Sequence, residues 1–280
     1  MDGGSKDFTR VEMSKNRNRH KKSEWSNKNP DGWPVWFKPI THSVEREVLA
    51  FAFKKNERLG EVYFIIQSMQ INYILFRRNF EELERLQNQF NQPLIFQELA
   101  LETEKAQEIV QDVILEFTRL LHNFLAAAKM LVDVTRTWVK KEFEGKDFFD
   151  SYQDEITKRF INNIHAKFLG DLRNFTLHRT LPLAMPELRM QKVSEHELKS
   201  SLGIVLLKNH LLEWDEWSDL GRMEIQMAIE EEEIDIQSIL NQYFKNVTEF
   251  TQWLFWQVKD LFGKEISQIN TTIESVSKKP

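Results

Sequence analysis

Apolar residues recur at steps of three and four over long stretches of this chain, which is the spacing of one face of an α-helix. One such stripe runs from Val62 to Leu83, and another runs from Phe149 to Phe175. Thr41 and Ser43 are good N-cap residues for a helix that starts before these stripes. The pattern predicts long helices at about 43–56, 61–91, 94–142, 147–179 and 236–269, with a kink or break in 94–142. The run 209–217 is predicted to begin another helix.

The periodicity changes after Pro182 and Pro186. Residues 188–193 alternate apolar and polar, as does part of 202–207, which predicts two short strands that form a hairpin. Only nine Gly and seven Pro occur in 280 residues, so a turn-rich β architecture is disfavoured. The predicted fold class is therefore all-α, a bundle of long helices with a small β-hairpin inserted after the helix that ends near residue 179.

The N-terminal part of the chain differs in composition from the rest. Residues 1–42 carry nine Lys and Arg against five Asp and Glu, and residues 25–40 are rich in Trp, Phe and Pro. The organisation predicted is a disordered basic and aromatic arm over 1–42, a single helical domain over 43–270 and a disordered tail over 271–280. The aromatic part of the arm is expected to pack across the helical body or, alternatively, to dock onto another protein.

Composition narrows the choice of function. The chain has no Cys, which excludes disulfides and Cys-ligated metals and suits a reducing compartment. No apolar run approaches the ~20 residues that a membrane-spanning helix needs, and the polar N-terminus is unlike a signal peptide. We therefore expect a cytoplasmic protein without a membrane partner. The net charge of −5 gives no overall basic bias of the kind that marks many nucleic-acid-binding proteins.

Several familiar catalytic patterns are missing from the sequence. It contains no Gly-rich phosphate loop, no His-Glu-x-x-His and no Ser nucleophile motif, and its seven His are scattered. Neither a metal nor another cofactor is therefore expected.

The stretch from Leu172 to Arg179 carries the remaining candidate chemistry. Asn174 and His178 are four residues apart, so they are neighbours on one helix face, whereas Arg173 lies about 140° around from His178 at ~100° per residue. The long guanidinium of Arg173 can still reach round to His178, especially where the helix ends or where a second subunit completes the cleft. These three residues could cleave RNA without a metal. The Arg would hold the phosphate at which the chain is cut. A His of near-neutral pKa could act as general base toward the ribose 2′-hydroxyl or as general acid toward the leaving oxygen. Asn174 would orient the imidazole or bind the ribose, and Arg179 is a candidate RNA-binding residue.

This motif, Arg173-Asn174-x-x-x-His178, resembles the Arg-x4–6-His motif of the HEPN superfamily, in which a polar residue, often Asn, follows the Arg. The superfamily places the motif in a late helix of a four- to five-helix bundle. Many members are metal-independent endoribonucleases of toxin–antitoxin, phage-defence or CRISPR-linked systems, and they dimerise so that two motifs face one composite cleft. Over about residues 60–265 the resemblance implies catalytic Arg173, Asn174 and His178, an RNA substrate, a homodimer and an antitoxin or defence partner protein.

Other interpretations of the same residues stay open. Arg159 with His165 and Arg189 with His196 also satisfy the bare spacing, although neither Arg is followed by a polar amide. Arg173 and His178 are also compatible with a surface Arg and a His that favours the helix dipole. The rival functions are a non-catalytic helical interaction protein that uses residues 25–40, and a nucleic-acid-binding module without turnover.

Overall fold

The protein is a helical bundle with a small β-sheet, as the sequence predicts. A computed structural model describes Phe37 and residues 43–90, 104–194, 197–227 and 233–277. The helices within these residues are α1 Ser43–Lys55, α2 Glu57–Phe90, α3 Glu104–Phe143, α4 Asp147–Ile156, α5 Ile164–His178, α6 Lys208–Leu212, α7 Asp219–Met227, α8 Ile236–Leu261 and α9 Gly263–Ser277. A π-helical turn, Thr157–Ile161, follows α4. The strands are β1 Ala184–Ser194, β2 Glu197–Leu207 and β3 Glu233–Asp235.

The chain divides into two compact units, with boundaries inside α2 and α8. One unit combines the described residues up to Ile74 with those from Thr251 onward, and the other spans Leu75–Phe250. Residues 43–270 were predicted to form a single domain, and that assignment stays a prediction. None of the helices described here is both long enough and apolar enough to cross a membrane.

The first unit is held by aromatic and aliphatic side chains on helices that come from both ends of the chain. Tyr63 lies with its ring centroid 5.6 Å from that of Phe37 and 5.4 Å from that of Phe53. The guanidinium of Arg58 lies 5.2 Å from the ring centroid of Phe262, which separates α8 from α9. Among the residues of the N-terminal arm, only Phe37 is described, and it is buried. The predictions for the rest of the arm lie outside the described residues.

The second unit has an aromatic core contributed by α2, α3 and α8. The rings of Phe80 and Phe244 are stacked with centroids 3.9 Å apart, and those of Phe76 and Phe124 are 5.0 Å apart. Phe76, Phe80 and Phe124 are all at least 96% buried, which matches the apolar stripes seen in the sequence. Burial of large apolar side chains of this kind is the dominant favourable contribution to folding.

The predicted hairpin is present and is longer than the sequence suggested. β1 and β2 pair antiparallel from Ala184 opposite Leu206 to Ser194 opposite Glu197, with an irregularity between Lys192 and Ser194. The short strand β3 extends the sheet beside β2 in the order β1-β2-β3. β3 was not predicted, because three residues are too few to show an alternating pattern.

The fourth long helix is interrupted, which corrects the prediction of one helix over 147–179. α4 passes into the π-helical turn, and α5 starts only at Ile164. The side-chain oxygen of Asn163 accepts a hydrogen bond from the backbone N–H of Ala166 at 2.9 Å and thereby caps α5. An Asn favours such a cap over a helix interior because its side chain competes for backbone donors. The Asn163 cap therefore stabilises the start of a new helix after the break.

Other element boundaries also differ from the prediction. α2 begins at Glu57, so Gly60 lies inside it rather than before it, and α3 continues without a break from Glu104 to Phe143. The run 209–217 was predicted to begin a helix, but α6 ends at Leu212 and Trp217 lies in the non-helical segment before α7. The last helix is divided at Phe262, and α9 continues to Ser277 with Ile273 buried. Residues 271–277 are therefore helical rather than part of a disordered tail.

Candidate functional site

Helix α5 carries Arg173, Asn174 and His178, and Arg179 follows its last residue. Its buried residues are Phe168, Leu169, Leu172 and Phe175. At the C-terminus the backbone N–H groups of Arg179 and Thr180 both donate to the carbonyl of Phe175, at 2.9 and 3.2 Å. The Leu181-Pro182 pair follows directly, and Pro disfavours helical conformation in the residue before it. The helix therefore ends at His178.

Aromatic residues fix one side of α5. The ring of Phe175 lies 5.9 Å from that of Trp217 and meets the ring of Trp214 edge-on at 5.7 Å. The ring of Phe168 stacks on Trp217 at 5.6 Å with only 9° between the planes. The indole N–H of Trp217 donates to the carbonyl of Leu211 at 2.8 Å, which satisfies its polar group in a buried setting. These contacts bury one face of α5 and thereby fix where its other faces lie.

Asp171 connects α5 to the start of α7. One oxygen of the Asp171 carboxylate accepts hydrogen bonds from the backbone N–H of Ser218 at 2.9 Å and from its hydroxyl at 2.5 Å. The Ser218 hydroxyl oxygen in turn accepts from the backbone N–H of Gly221 at 3.2 Å. A Cβ placed on Gly221 would lie 2.2 Å from the Asp171 Oδ2 atom. We call this arrangement the Asp171 clamp, and it requires a residue without a side chain at position 221.

A cavity of about 500 Å³ lies beside α5. Its lining residues come from α3, α4, the π-helical turn, α5 and α8, and we call it the α5 cavity. They are Leu125, Ala128, Lys129, Val132, Arg136, Tyr152, Gln153, Ile156, Phe160, Ile161, Ala166, Lys167, Leu169, Gly170, Asp171, Arg173, Asn174 and Tyr243.

The charged groups of the α5 cavity are mostly cationic. Lys129, Arg136, Lys167 and Arg173 line it, against the single carboxylate of Asp171. Asp133 lies outside the lining and is shared, because it forms ion pairs with both Lys129 and Arg136. The lining therefore carries an excess of positive charge although the whole chain has a net charge of −5. Such a local excess favours an anionic ligand.

Two buried tyrosines contribute to the lining. Burial raises the pKa of Tyr152 to about 12, with a smaller opposing effect from the Arg136 cation. Burial also raises the pKa of Tyr243 to about 12. Both phenols are therefore protonated at neutral pH. Neither hydroxyl has a hydrogen-bond partner among the residues that the structure describes.

The structure separates the predicted site residues into two pairs. Arg173 and Asn174 line the α5 cavity and are themselves joined, since the Arg173 guanidinium donates to the Asn174 side-chain oxygen at 3.3 Å. His178 and Arg179 are exposed and do not line the cavity. Arg179 lies 3.8 Å from the carboxylate of Glu213, a contact between two exposed groups that contributes little stability. Arg173 and His178 therefore do not line one cavity within a single chain.

Several exposed apolar residues flank His178 along the chain. The side chains of Leu177, Leu181, Leu183 and Met185 are between 42% and 52% exposed. We call these four residues the His178 patch. Single exposed apolar residues are common, and here four fall within nine positions of the sequence.

The alternative pair Arg159 and His165 makes contacts with carboxylates elsewhere in the fold. Arg159 forms ion pairs with Glu155 at 2.5 Å and with Glu249 at 3.2 Å. The Nδ1 atom of His165 lies 3.2 Å from the Glu224 carboxylate, although their angle is not that of a hydrogen bond. His196 and the side chain of Arg189 lie outside the described residues.

Sequence reasoning missed the cations that α3 and the start of α5 supply to the cavity. Lys129 and Arg136 are seven residues apart, which places them on one face of α3. Lys167 and Asn174 have the same separation on α5. This spacing was the available signal, but it did not indicate that the two faces meet at one cavity. Within the described ranges, no group of three or more His, Asp or Glu is placed to hold a metal ion.

No protein-family model matches the chain, and neither the curated proteins nor the solved structures contain a significant match to it.

Proposed function

We propose that the protein is a metal-independent endoribonuclease of the HEPN type that cleaves RNA at a composite site between two copies of the chain. The observation that carries the proposal is the position of Arg173 and Asn174 in a cation-rich cavity on the helix that ends at exposed His178. A role in a toxin–antitoxin or phage-defence setting, with a partner protein, belongs to the same proposal because it comes with the motif resemblance.

The proposed reaction is attack of a ribose 2′-oxygen on the adjacent phosphorus. His178 of one copy removes the 2′-hydroxyl proton as general base, and the new P–O bond forms as the bond to the 5′-oxygen breaks. His178 of the second copy supplies the proton that the leaving 5′-oxygen takes up. Arg173 holds the phosphate and stabilises its developing negative charge. The products are a 2′,3′-cyclic phosphate and a free 5′-hydroxyl.

The second copy is needed because one chain does not bring the two functions together. Arg173 lines the α5 cavity, whereas His178 is exposed outside it. The His178 patch gives this end of α5 an apolar surface that a second copy would cover. In a symmetric dimer the same patch is presented by both subunits, so each His178 is brought toward the partner.

A nucleic-acid-binding module without turnover is the second candidate. The specific observation in its favour is that His178 does not line the cavity that contains Arg173. In that case RNA would be retained through Arg173 and the other cavity cations, with affinity that falls as salt rises. No new RNA species would appear.

The test is cleavage of a short single-stranded RNA, labelled at both ends, in buffer with a metal chelator. We expect His178→Ala to slow cleavage by about 10²- to 10⁴-fold and Arg173→Ala to slow it by about 10²- to 10³-fold. Matched controls are His122→Ala, on α3 outside the cavity, and Arg78→Ala, an exposed residue of α2. An inactive parent protein, or a His178→Ala variant as fast as the parent, refutes the nuclease proposal.

A further inference from the structure

We propose that the α5 cavity binds a small amphipathic monocarboxylate, which is an organic acid with one carboxylate joined to an apolar acyl or aryl body. The carboxylate is held by Lys167, Arg173 and the two phenols, and the body lies along the apolar wall. The inference goes beyond the proposed nuclease, because it requires neither RNA nor cleavage. It rests on the size of the cavity, its partly uncovered apolar residues, the charge of its cations and its tyrosine hydroxyls.

The α5 cavity has the size and the position of a small-molecule site. Its volume of about 500 Å³ is within the range of roughly 300–1,000 Å³ that is typical of such sites. Its walls come from five elements that all belong to one compact unit, Leu75–Phe250. Spaces between the helices of a bundle are a common place for small ligands. The cavity therefore has room for an organic acid with a body of medium length.

Part of the apolar lining is not covered by the protein itself. Val132, Ile156 and Phe160 line the cavity and are only half-buried, and Ile161 is 45% exposed. These four residues come from α3, from α4 and from the π-helical turn, and π-turns are frequent at functional sites. A ligand with an apolar body would remove this surface from water, which favours binding in proportion to the area covered.

Two cations of the cavity need an anionic partner. Lys167 and Arg173 are half-buried, and neither has a carboxylate partner in the described part of the chain. The carboxylate of Asp171 is engaged by Ser218 through two hydrogen bonds. Hydrogen bonds between a cation and an anion are stronger than those between neutral groups, so the negative end of a ligand is favoured beside these two side chains.

The balance of charge favours a single carboxylate over a phosphate. Lys167 and Arg173 against Asp171 leave one positive charge, which one monoanion neutralises. Lys129 and Arg136 are more exposed, and both already form ion pairs with Asp133. A phosphate dianion would bring a second charge next to the apolar wall, where its desolvation is costly.

The geometry of Arg173 also suits a carboxylate. The guanidinium uses one nitrogen, Nη1, to donate to the Asn174 side-chain oxygen at 3.3 Å. Its other N–H groups form a planar fork, and such a fork matches the two oxygens of a carboxylate. Asn174 therefore holds the guanidinium without neutralising it.

The phenols supply further donors for the same group. Tyr152 and Tyr243 are protonated at neutral pH, and their hydroxyls have no hydrogen-bond partner among the described residues. The Arg136 cation lowers the pKa of Tyr152 against the larger effect of burial, so this hydroxyl lies near the cations of the lining. A carboxylate has about four acceptor sites, which is enough for an Arg, a Lys and two phenols.

Titration calorimetry of the full chain with octanoate tests the inference. Acetate lacks the apolar body, 1-octanol lacks the charge, octylammonium reverses it, and inorganic phosphate lacks the body but is an anion. We expect octanoate to bind at least about tenfold more tightly than any of these four. In the series butanoate, hexanoate and octanoate, each added methylene is expected to tighten binding by about two- to fourfold.

Lys167→Gln is expected to weaken octanoate binding by about 10- to 100-fold, because a hydrogen bond between charged groups is lost, and Tyr152→Phe by about 2- to 10-fold. The matched control is Lys158→Gln, which removes the same charge from an exposed position of the π-helical turn outside the cavity lining. Thermal melting of each variant identifies any that fail to fold. Octanoate should also raise the melting temperature of the parent protein, since a ligand that binds only the folded state stabilises it.

Four outcomes would overturn the inference. They are a folded protein that does not bind octanoate, acetate or inorganic phosphate binding as tightly as octanoate, 1-octanol or octylammonium doing so, and a Lys158→Gln variant that loses as much affinity as Lys167→Gln. A parallel titration with 3-phenylpropanoate distinguishes the two kinds of body. Tighter binding of octanoate identifies an acyl chain, and tighter binding of 3-phenylpropanoate identifies an aryl group.

The test is independent of the proposed nuclease. Arg173 is left unchanged in every variant because the proposed cleavage reaction also uses it, and no RNA is present in the titrations. RNA cleavage by a protein that does not bind octanoate overturns only the carboxylate site. Octanoate binding by a protein that does not cleave RNA overturns only the nuclease.

Discussion

Replacing Gly221 by Ala tests whether the Asp171 clamp fixes the position of α7 against α5. The added Cβ would lie 2.2 Å from the Asp171 Oδ2 atom, a distance that non-bonded atoms do not adopt. The carboxylate must therefore rotate away. That movement breaks its hydrogen bonds to the backbone N–H and the hydroxyl of Ser218.

The magnitude follows from two opposing effects. A hydrogen bond to a charged group contributes about 1.5–3 kcal/mol, so two such bonds at the lower end amount to about 3 kcal/mol. Ala is favoured over Gly in a helix by up to about 1 kcal/mol, which offsets part of the loss. We expect Gly221→Ala to lower the free energy of unfolding by about 2 kcal/mol.

Urea denaturation followed by circular dichroism measures this change, and the chain provides a matched control. A Cβ on Gly170, in the interior of α5, meets no atom within 4 Å, so Gly170→Ala is expected to raise stability by about 0.5–1 kcal/mol. In an Asp171→Ala background the clash is absent, so Gly221→Ala should not lower the free energy of unfolding. An equal cost in both backgrounds would refute the role of the carboxylate.

Two further predictions concern buried titratable groups. Replacing His165 by Ala removes the imidazole whose Nδ1 atom lies 3.2 Å from the Glu224 carboxylate, and we expect a loss of up to about 1 kcal/mol in the free energy of unfolding, measured by urea denaturation. No loss would contradict a stabilising contact. Tyr152 and Tyr243 have pKa values of about 12 in the folded protein, against 10.0 in an unfolded chain. Between pH 10 and 12 the tyrosines therefore ionise in the unfolded chain but not in the folded protein. We expect the free energy of unfolding to fall over this range and to be unaffected by these groups below pH 10. Each tyrosine accounts for about 2–3 kcal/mol of that loss. A Phe variant at either position should therefore lose less unfolding free energy between pH 10 and 12 than the parent protein does. A variant whose stability falls with pH as steeply as that of the parent would contradict the assigned burial.

Periodicity along the chain was sufficient to predict most helices but not their interruptions. The stripe from Phe149 to Phe175 continues through the Asn162-Asn163 break, because apolar residues on both sides of the break are needed for packing. Whether an Asn caps a new helix or sits within an existing one depends on which conformation the rest of the fold stabilises. The same ambiguity explains why Phe262, which is buried, did not reveal the boundary between α8 and α9.

The candidate site, like the helices, was predictable only in part. The angular separation of Arg173 and His178 follows from helical geometry alone, but which of the two residues lines a cavity does not, and the structure places only Arg173 in the cavity lining. The cavity itself was not predictable, because Lys129 on α3 and Tyr243 on α8 are more than a hundred residues apart in the sequence. Sequence spacing orders residues on one helix but carries no information on which faces of distant helices meet.

The late position of Tyr243 in the chain has a consequence for how the protein is made. About seventy residues separate Asn174 from Tyr243, so at roughly 5–20 residues per second a ribosome needs roughly 4–14 s to add them. During that interval the emerging chain contains the cationic wall of the α5 cavity and the Phe80 ring, but neither Tyr243 nor the stacked partner Phe244. The nascent protein therefore passes through a stage with an incomplete cavity and an uncovered aromatic surface. The cavity lining and the aromatic stacking are completed together, when α8 is added.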